Sequence, residues 1–220
     1  MDRITDAFVW PVRDPDWLAK IAIVGLILLV PIAGQINGLG WMLASIDRLR
    51  AGEERLPPAN FSYLGRGLQL FAVNFVYAIT LVVAVIVLYI PTIAVYNAEG
   101  RGSANAAVVA LAVLLNLVVF SIGTLGSLAL YFAMPAIILA TDRAGIVGGL
   151  DVVGIVRQIR RSPINTLIAG LMLIAVSFVA QLGIFACVVG VLFTSSYGLA
   201  MQAWVVRSYE VGTSLPAPSA

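Results

Sequence analysis

Long apolar runs and short charged segments alternate along the chain. Four windows carry no charged residue: Ile21–Ile46, Gly67–Ala98, Gly102–Thr141 and Ser162–Val206, with 26, 32, 40 and 45 residues. Every Asp, Glu, Lys and Arg lies in the polar segments around them. A membrane-spanning helix needs ~20 predominantly apolar residues, and each window exceeds that length. The pattern predicts helices that cross a bilayer.

The windows are not equivalent. The first is interrupted at Pro31-Ile-Ala-Gly34-Gln35-Ile-Asn37-Gly38-Leu-Gly40. Proline removes a helix hydrogen bond and glycine favours a bend. This predicts a kinked span or two short helices forming a re-entrant hairpin. Irregular backbone at membrane depth needs protein or a water-filled cavity around it. The third window is one long tilted helix or two spans with a tight turn near Gly123 and Gly126. The fourth holds a pair of spans joined near Gln181–Gly183. Phe61, Leu64, Leu68 and Phe71 recur at helical spacing, which predicts a short amphipathic segment leading into the second window. Val152, Ile155, Val156 and Ile159 form one face opposite Asp151, Gln158, Arg160 and Arg161, as in an interfacial helix.

The fold class expected is all-α: a polytopic transmembrane helical bundle. It has about four full spans plus a Pro/Gly-broken N-terminal hairpin, with short interfacial amphipathic helices; five or six spans are the alternatives. Residues 1–17 form an N-terminal interfacial lead, 18–210 a single transmembrane domain and 211–220 a disordered tail. Trp10 and Trp17 in the lead suit the headgroup region. The first apolar stretch follows Asp2, Asp6, Asp14 and Asp16, unlike a cleavable signal peptide.

Charge chooses among the topologies. The five polar segments hold three, four, one, four and one Lys/Arg in chain order. Basic residues concentrate on the cytoplasmic side. Six spans, or five with an external N-terminus, put nine basic residues inside and four outside. A re-entrant hairpin followed by four spans leaves only Arg101 outside and both termini in the cytoplasm. That arrangement is preferred. It requires a long third helix, ~50 Å against a ~30 Å hydrocarbon core.

Composition narrows the chemistry. There is no histidine and one cysteine, Cys187. An intrachain disulfide and a cysteine-rich metal site are thus excluded, and no metal or cofactor is expected. The net charge of +2 is too small to indicate nucleic acid. Twelve of the 13 basic residues are arginine, and with abundant Ala, Val and Gly this fits a GC-rich prokaryotic genome.

The N-terminal half reads Phe8-x2-Pro11-x2-Asp14-x-Asp16-Trp17-x2-Lys20. It continues with Pro31-x2-Gly34, Gly40-Trp41, Arg48, Leu56-Pro57 and Gly67-Leu68. In this order the chain resembles the prokaryotic domain of unknown function 4013 family of multi-pass membrane proteins, from about Phe8 to Tyr209. Trp41 stands where that family often has tyrosine, and Pro58-Ala59 where acidic or aromatic residues often follow Leu-Pro. The layout is also similar to the membrane domains attached to some glycerophosphodiester phosphodiesterases, on architecture alone. The resemblances imply fold and location; neither supplies an activity.

Ionisable residues inside a membrane are the usual mark of a transport path. None lies deep in a window. Lys20 sits at an edge, where it can snorkel. The polar residues within the windows are neutral. Asn74 and Asn116 suit hydrogen bonds between helices, and with Asn37 they are candidates to line a polar cavity. Arg157, Arg160 and Arg161 are candidate contacts for lipid headgroups. Gly34/Gly38 and Ala186/Gly190 are candidate close-packing faces.

These features predict a non-enzymatic structural, assembly or membrane-organising component of the cytoplasmic membrane. Its partners would be the lipid bilayer and other membrane proteins or itself, with no nucleic acid. The alternative is a small-solute or lipid transporter or channel, suggested by the broken first element.

Overall fold

The computed structural model describes residues 3–99 and 106–214, and the side chains of these except 96–99 and 186–189. Expectations for the Ala186 contact, the loop around Arg101 and residues 215–220 lie outside the described residues. Among those described there is no strand. Two 3-10 turns, Ile4–Phe8 and Trp10–Arg13, lead into α1 (Trp17–Leu28), α2 (Ala33–Arg50), α3 (Leu64–Glu99), α4 (Ala106–Gly149), α5 (Val152–Arg161), α6 (Pro163–Leu182) and α7 (Cys187–Ser214). Three helical stretches are long and apolar enough to cross a membrane: Leu64–Val95, Ala106–Gly149 and Pro163–Phe185. The chain forms two compact units, residues 1–73 with 131–220, and residues 74–130.

The first window is two helices, as its Pro/Gly break predicts. α1 has 12 residues and reaches only ~18 Å, too short to cross a ~30 Å core. It ends before Pro31, which cannot donate a helix hydrogen bond. Ile32 then takes φ 63° and ψ −61°, and the Ala33 N–H reaches back to the Pro31 carbonyl at 2.6 Å. This is a γ-turn with positive φ, rare and strained for a β-branched residue. α2 packs back against α1, with Gly34 against the Ile27 carbonyl and Gly38 against Leu28 and Leu199. The Gly34/Gly38 face is therefore filled by this chain's own helices.

The segment 57–71 differs from its predicted form. No separate interfacial helix precedes α3. Pro57–Tyr63 is instead a loop tied to α2: Trp41 Nε1 donates to the Pro57 carbonyl at 3.3 Å, and Asn37 Nδ2 to the Asn60 carbonyl at 2.8 Å. Phe61, Leu64 and Leu68 are exposed, while Gly67, Leu70 and Val73 face inward. The periodicity marked a lipid-facing stripe. Lipid tails are as apolar as leucine, so apolar spacing alone does not say which face is interior.

α4 runs through the third window as one helix, without a turn at Gly123–Gly126. Its regular geometry breaks only at Ala144 and Gly145. In the first unit, α7 packs against α6, α2 and α1. Tyr209, Trp41, Met42 and Leu43 are buried there. In the second unit, Gly126 lies against Leu81 and Gly123 against Val85. Phe75, Ile86, Leu114 and Phe120 remain exposed, as side chains facing lipid would be. α7 continues to Ser214.

Candidate functional site

Seven charged residues of the first unit gather near the ends of helices α2, α3 and α7 and at the break in α4. Asp47 and Arg50 stand one turn apart near the C-terminus of α2, which Gly52 closes at φ 78°. Glycine takes that left-handed conformation without steric cost. Arg66 lies in the first turn of α3. Asp142 and Arg143 precede the break in α4, and Arg207 and Glu210 lie one turn apart on α7. Arg50 is the hub. It holds Asp142 at 2.7 Å, Asp47 at 3.1 Å and Glu210 through two parallel bonds of 3.0 Å. That fork geometry suits a guanidinium and a carboxylate. Arg66 bridges Asp47 and Asp142. Glu210 also receives Arg207 at 2.8 Å and Arg143 at 3.1 Å.

Burial makes these pairs matter. The side chain of Asp142 is 4% exposed and that of Glu210 12%. Burial alone would raise the Glu210 pKa. The guanidiniums of Arg50, Arg143 and Arg207 outweigh it and hold the carboxyl at about 2, below its ordinary 4.5. Burial likewise opposes ionisation of Asp47, and Arg66 and Arg50 overcome it, leaving its pKa lowered. A depressed carboxylate contributes stability that is present above its unfolded pKa and lost as pH falls through its folded one. The thermal midpoint of the purified protein is therefore expected to be flat near neutrality. It should fall between about pH 4.5 and about pH 2, the interval Glu210 spans. In Glu210→Gln the fall over that interval is expected to be smaller; an unchanged acid profile would contradict the assignment.

A second cluster fixes the N-terminal lead. Asp14, 1% exposed, accepts from Lys20 Nζ at 2.7 Å and from the Asp16 and Leu56 N–H groups at 2.8 Å each. Burial opposes its ionisation, and these donors lower its pKa on balance. Lys20 also donates to the Leu56 carbonyl at 3.0 Å. It is thus a tie to the buried Asp14 rather than a snorkelling anchor. Trp10 is buried rather than interfacial. Its ring stacks on Trp204 at 5.8 Å, and its Nε1 donates to the Ala200 carbonyl at 3.1 Å. Trp17 is half-buried against Tyr197. Arg13 pairs with Asp6 at 3.0 Å and with Glu54.

Together these pairs join four of the five polar segments. Arg13–Glu54 links the lead to the 47–66 loop, and Arg50 links that loop to Asp142 and Glu210. Spacing could not reveal this constellation, because Asp47, Asp142 and Glu210 are scattered along the sequence. The signal available was the pair of opposite charges that closes the windows feeding the cluster: Asp47-Arg48, Asp142-Arg143 and Arg207-x2-Glu210.

The predicted site residues sit as follows. Asn37 is buried and spends both ends of its amide on the loop, donating to Asn60 and accepting from the Tyr63 N–H at 3.2 Å. Asn74 has a buried amide oxygen without a partner among the described residues. Asn116 donates to the Ala112 carbonyl of its own helix at 2.9 Å. It lines an open cleft of about 420 Å³ in the second unit with Tyr89, Phe120, Thr124 and Ser127; neither Asn37 nor Asn74 belongs to that lining. Arg157, Arg160 and Arg161 are exposed on α5. Among the described residues no group of three His, Cys, Asp or Glu is placed to hold a metal ion; the carboxylates converge on guanidiniums instead.

Long apolar helices, a helical hairpin whose first arm is too short to span, and charges collected at helix ends define a polytopic α-helical membrane protein. The chain belongs to the family described as Protein of unknown function (DUF4013), whose model matches residues 23–189. No curated protein and no solved structure matches it.

Proposed function

We propose that the protein is a non-enzymatic structural, assembly or membrane-organising component of the cytoplasmic membrane. The observation behind this reading is that polar groups of the first unit join its helices. Ser196 Oγ donates to the Ile21 carbonyl at 2.9 Å, tying α7 to α1. Thr194 Oγ1 donates to the Ala180 carbonyl at 2.7 Å, tying α7 to α6. Thr166 meets the Tyr209 hydroxyl at 3.3 Å. Such bonds contribute roughly 1 kcal/mol or less each and favour one rigid packing. The lead, the 47–66 loop, the start of the 141–161 segment and the end of α7 share one side through their ion pairs. The four whole polar segments to which these stretches belong contain 12 of the 13 basic residues, so the side is cytoplasmic by the positive-inside rule. Both termini then lie in the cytoplasm, and α1 and α2 form a re-entrant hairpin. Any partner would dock on other faces than Gly34/Gly38, which is occupied internally. Crosslinking in native membranes followed by affinity purification is expected to capture a defined membrane partner or a homo-oligomer. Strictly monomeric, partnerless protein would overturn the proposal.

A second reading, a small-solute or lipid transporter or channel, is favoured by the open cleft at Tyr89, Asn116, Thr124 and Ser127. Its test is flux or lipid scrambling in proteoliposomes.

A further inference from the structure

We propose that α5 is a docking surface for anionic lipid headgroups, with Arg157, Arg160 and Arg161 as the phosphate-binding residues. Most of the described basic residues are paired; Arg55, exposed and without a carboxylate among the described residues, stands alone in the 47–66 loop, and three more stand together on α5. Arg3, Arg13, Lys20, Arg48, Arg50, Arg66, Arg143 and Arg207 each pair with a carboxylate. No carboxylate pairs with Arg157, Arg160 or Arg161 among the described residues, and all three are exposed. The nearest acidic residue in sequence, Asp151, is used elsewhere: its carboxylate accepts the Gly154 N–H at 3.0 Å and caps the helix.

The helix places these charges at headgroup depth. α5 ends at Arg161, and after Ser162 the apolar helix α6 begins at Pro163. Ile164 and Leu167 in its first turns are exposed, as lipid-facing residues would be. The arginines therefore stand within two turns of the start of a span. At 3.6 residues per turn, the face of α5 carrying Ile155 turns inward. Val152, Val153 and Val156 lie on the open side beside the arginines. Ile155 is buried while Val153 is 68% exposed, and Val147, just before the helix, is 83% exposed. The apolar positions are thus shared between protein and surroundings. Exposed valines beside unpaired guanidiniums fit the boundary between acyl chains and phosphates. Charge complementarity commits the surface to an anionic lipid, and a guanidinium fork matches phosphate oxygens.

The test is the dissociation constant for phosphatidylglycerol binding to the full chain in an uncharged detergent, read by native mass spectrometry. R157Q/R160Q/R161Q is expected to weaken binding on the order of a hundredfold, about fivefold per arginine. The triple lysine variant should keep most of the affinity, and phosphatidylcholine should bind equally weakly to all forms. Arg55→Gln removes an exposed arginine outside α5 and should change nothing. If the glutamine variant fails to fold, raising salt on the wild type should weaken phosphatidylglycerol binding alone. The proposal is overturned by unchanged affinity in the folded triple glutamine variant, or by an Arg55→Gln loss as large as that of one α5 arginine. Displacement of the lipid by inorganic phosphate would also overturn it, pointing to a free-anion site.

Discussion

Replacing Arg50 with methionine is expected to destabilise the protein by about 3 kcal/mol, the cost of removing one partner from a buried charge cluster. At this chain length that corresponds to a fall in thermal midpoint of roughly 10 °C. Three carboxylates lose a donor together. Asp142 keeps Arg66, and Glu210 keeps Arg143 and Arg207, so the variant should still fold. Arg50→Lys retains the charge but not the fork that grips Glu210 through two parallel bonds, and should fall between the two. Adding Glu210→Gln to Arg50→Met removes a carboxylate left short of donors, so the double variant should lose less than the sum of the single changes. The check is thermal or denaturant unfolding in mild detergent. An Arg50→Met variant within ~0.5 kcal/mol of wild type, the range of ordinary surface substitutions, would mean that the cluster does not bind the helix ends together.

The second large effect is steric. Gly67 and Gly40 sit where α2 and α3 touch. A Cβ on Gly67 would strike the Ile36 carbonyl and the Gly40 nitrogen, and one on Gly40 would strike the Tyr63 backbone. These contacts are with backbone, which cannot rotate away. Gly67→Ala must push the two helices apart, so a loss of about 3 kcal/mol is expected, the upper end for overpacking. Gly65, two residues earlier in the same helix, has nothing within 4 Å of a built Cβ. Gly65→Ala should be neutral or stabilise by roughly 0.5–1 kcal/mol through helix propensity. Unfolding of both variants side by side separates contact from propensity. Equal effects would contradict the α2/α3 crossing.

The sequence made the elements legible but not their pairing. Charge-free windows delimit the long helices because insertion into lipid depends on local composition. The break at Pro31–Gly40 announces the hairpin because proline and glycine act on their own backbone. α5 shows itself through spacing and through Asp151, which caps it. The ion-pair hub was hidden for the opposite reason. Nothing local says that Asp142 will meet Arg50 rather than Arg143, and the choice is made by packing of helices far apart in sequence. Trp10 misleads similarly. Indole suits the headgroup region and a protein core equally well, and the deciding fact is that Trp204 and the Ala200 carbonyl lie within reach. Small-residue pairs carry the same ambiguity. Gly34 and Gly38 do support close packing, but against Ile27, Leu28 and Leu199 of the same chain. The stripe of Phe61, Leu64 and Leu68 shows why apolar periodicity loses its direction in a membrane protein: the outside is as apolar as the inside.

In the proposed topology, the lead, the 47–66 loop and the end of α7 lie on a single side of the bilayer, with the hairpin entering and leaving on that side. The most direct measurement uses single cysteines at Glu53, Arg101 and Ser214 in a Cys187→Ala background, labelled with a membrane-impermeant maleimide in intact cells and in inverted vesicles. Positions 53 and 214 are expected to react only in inverted vesicles, and position 101 only in intact cells. Labelling of position 53 from the same side as position 101 would contradict the re-entrant hairpin and the ion-pair hub together.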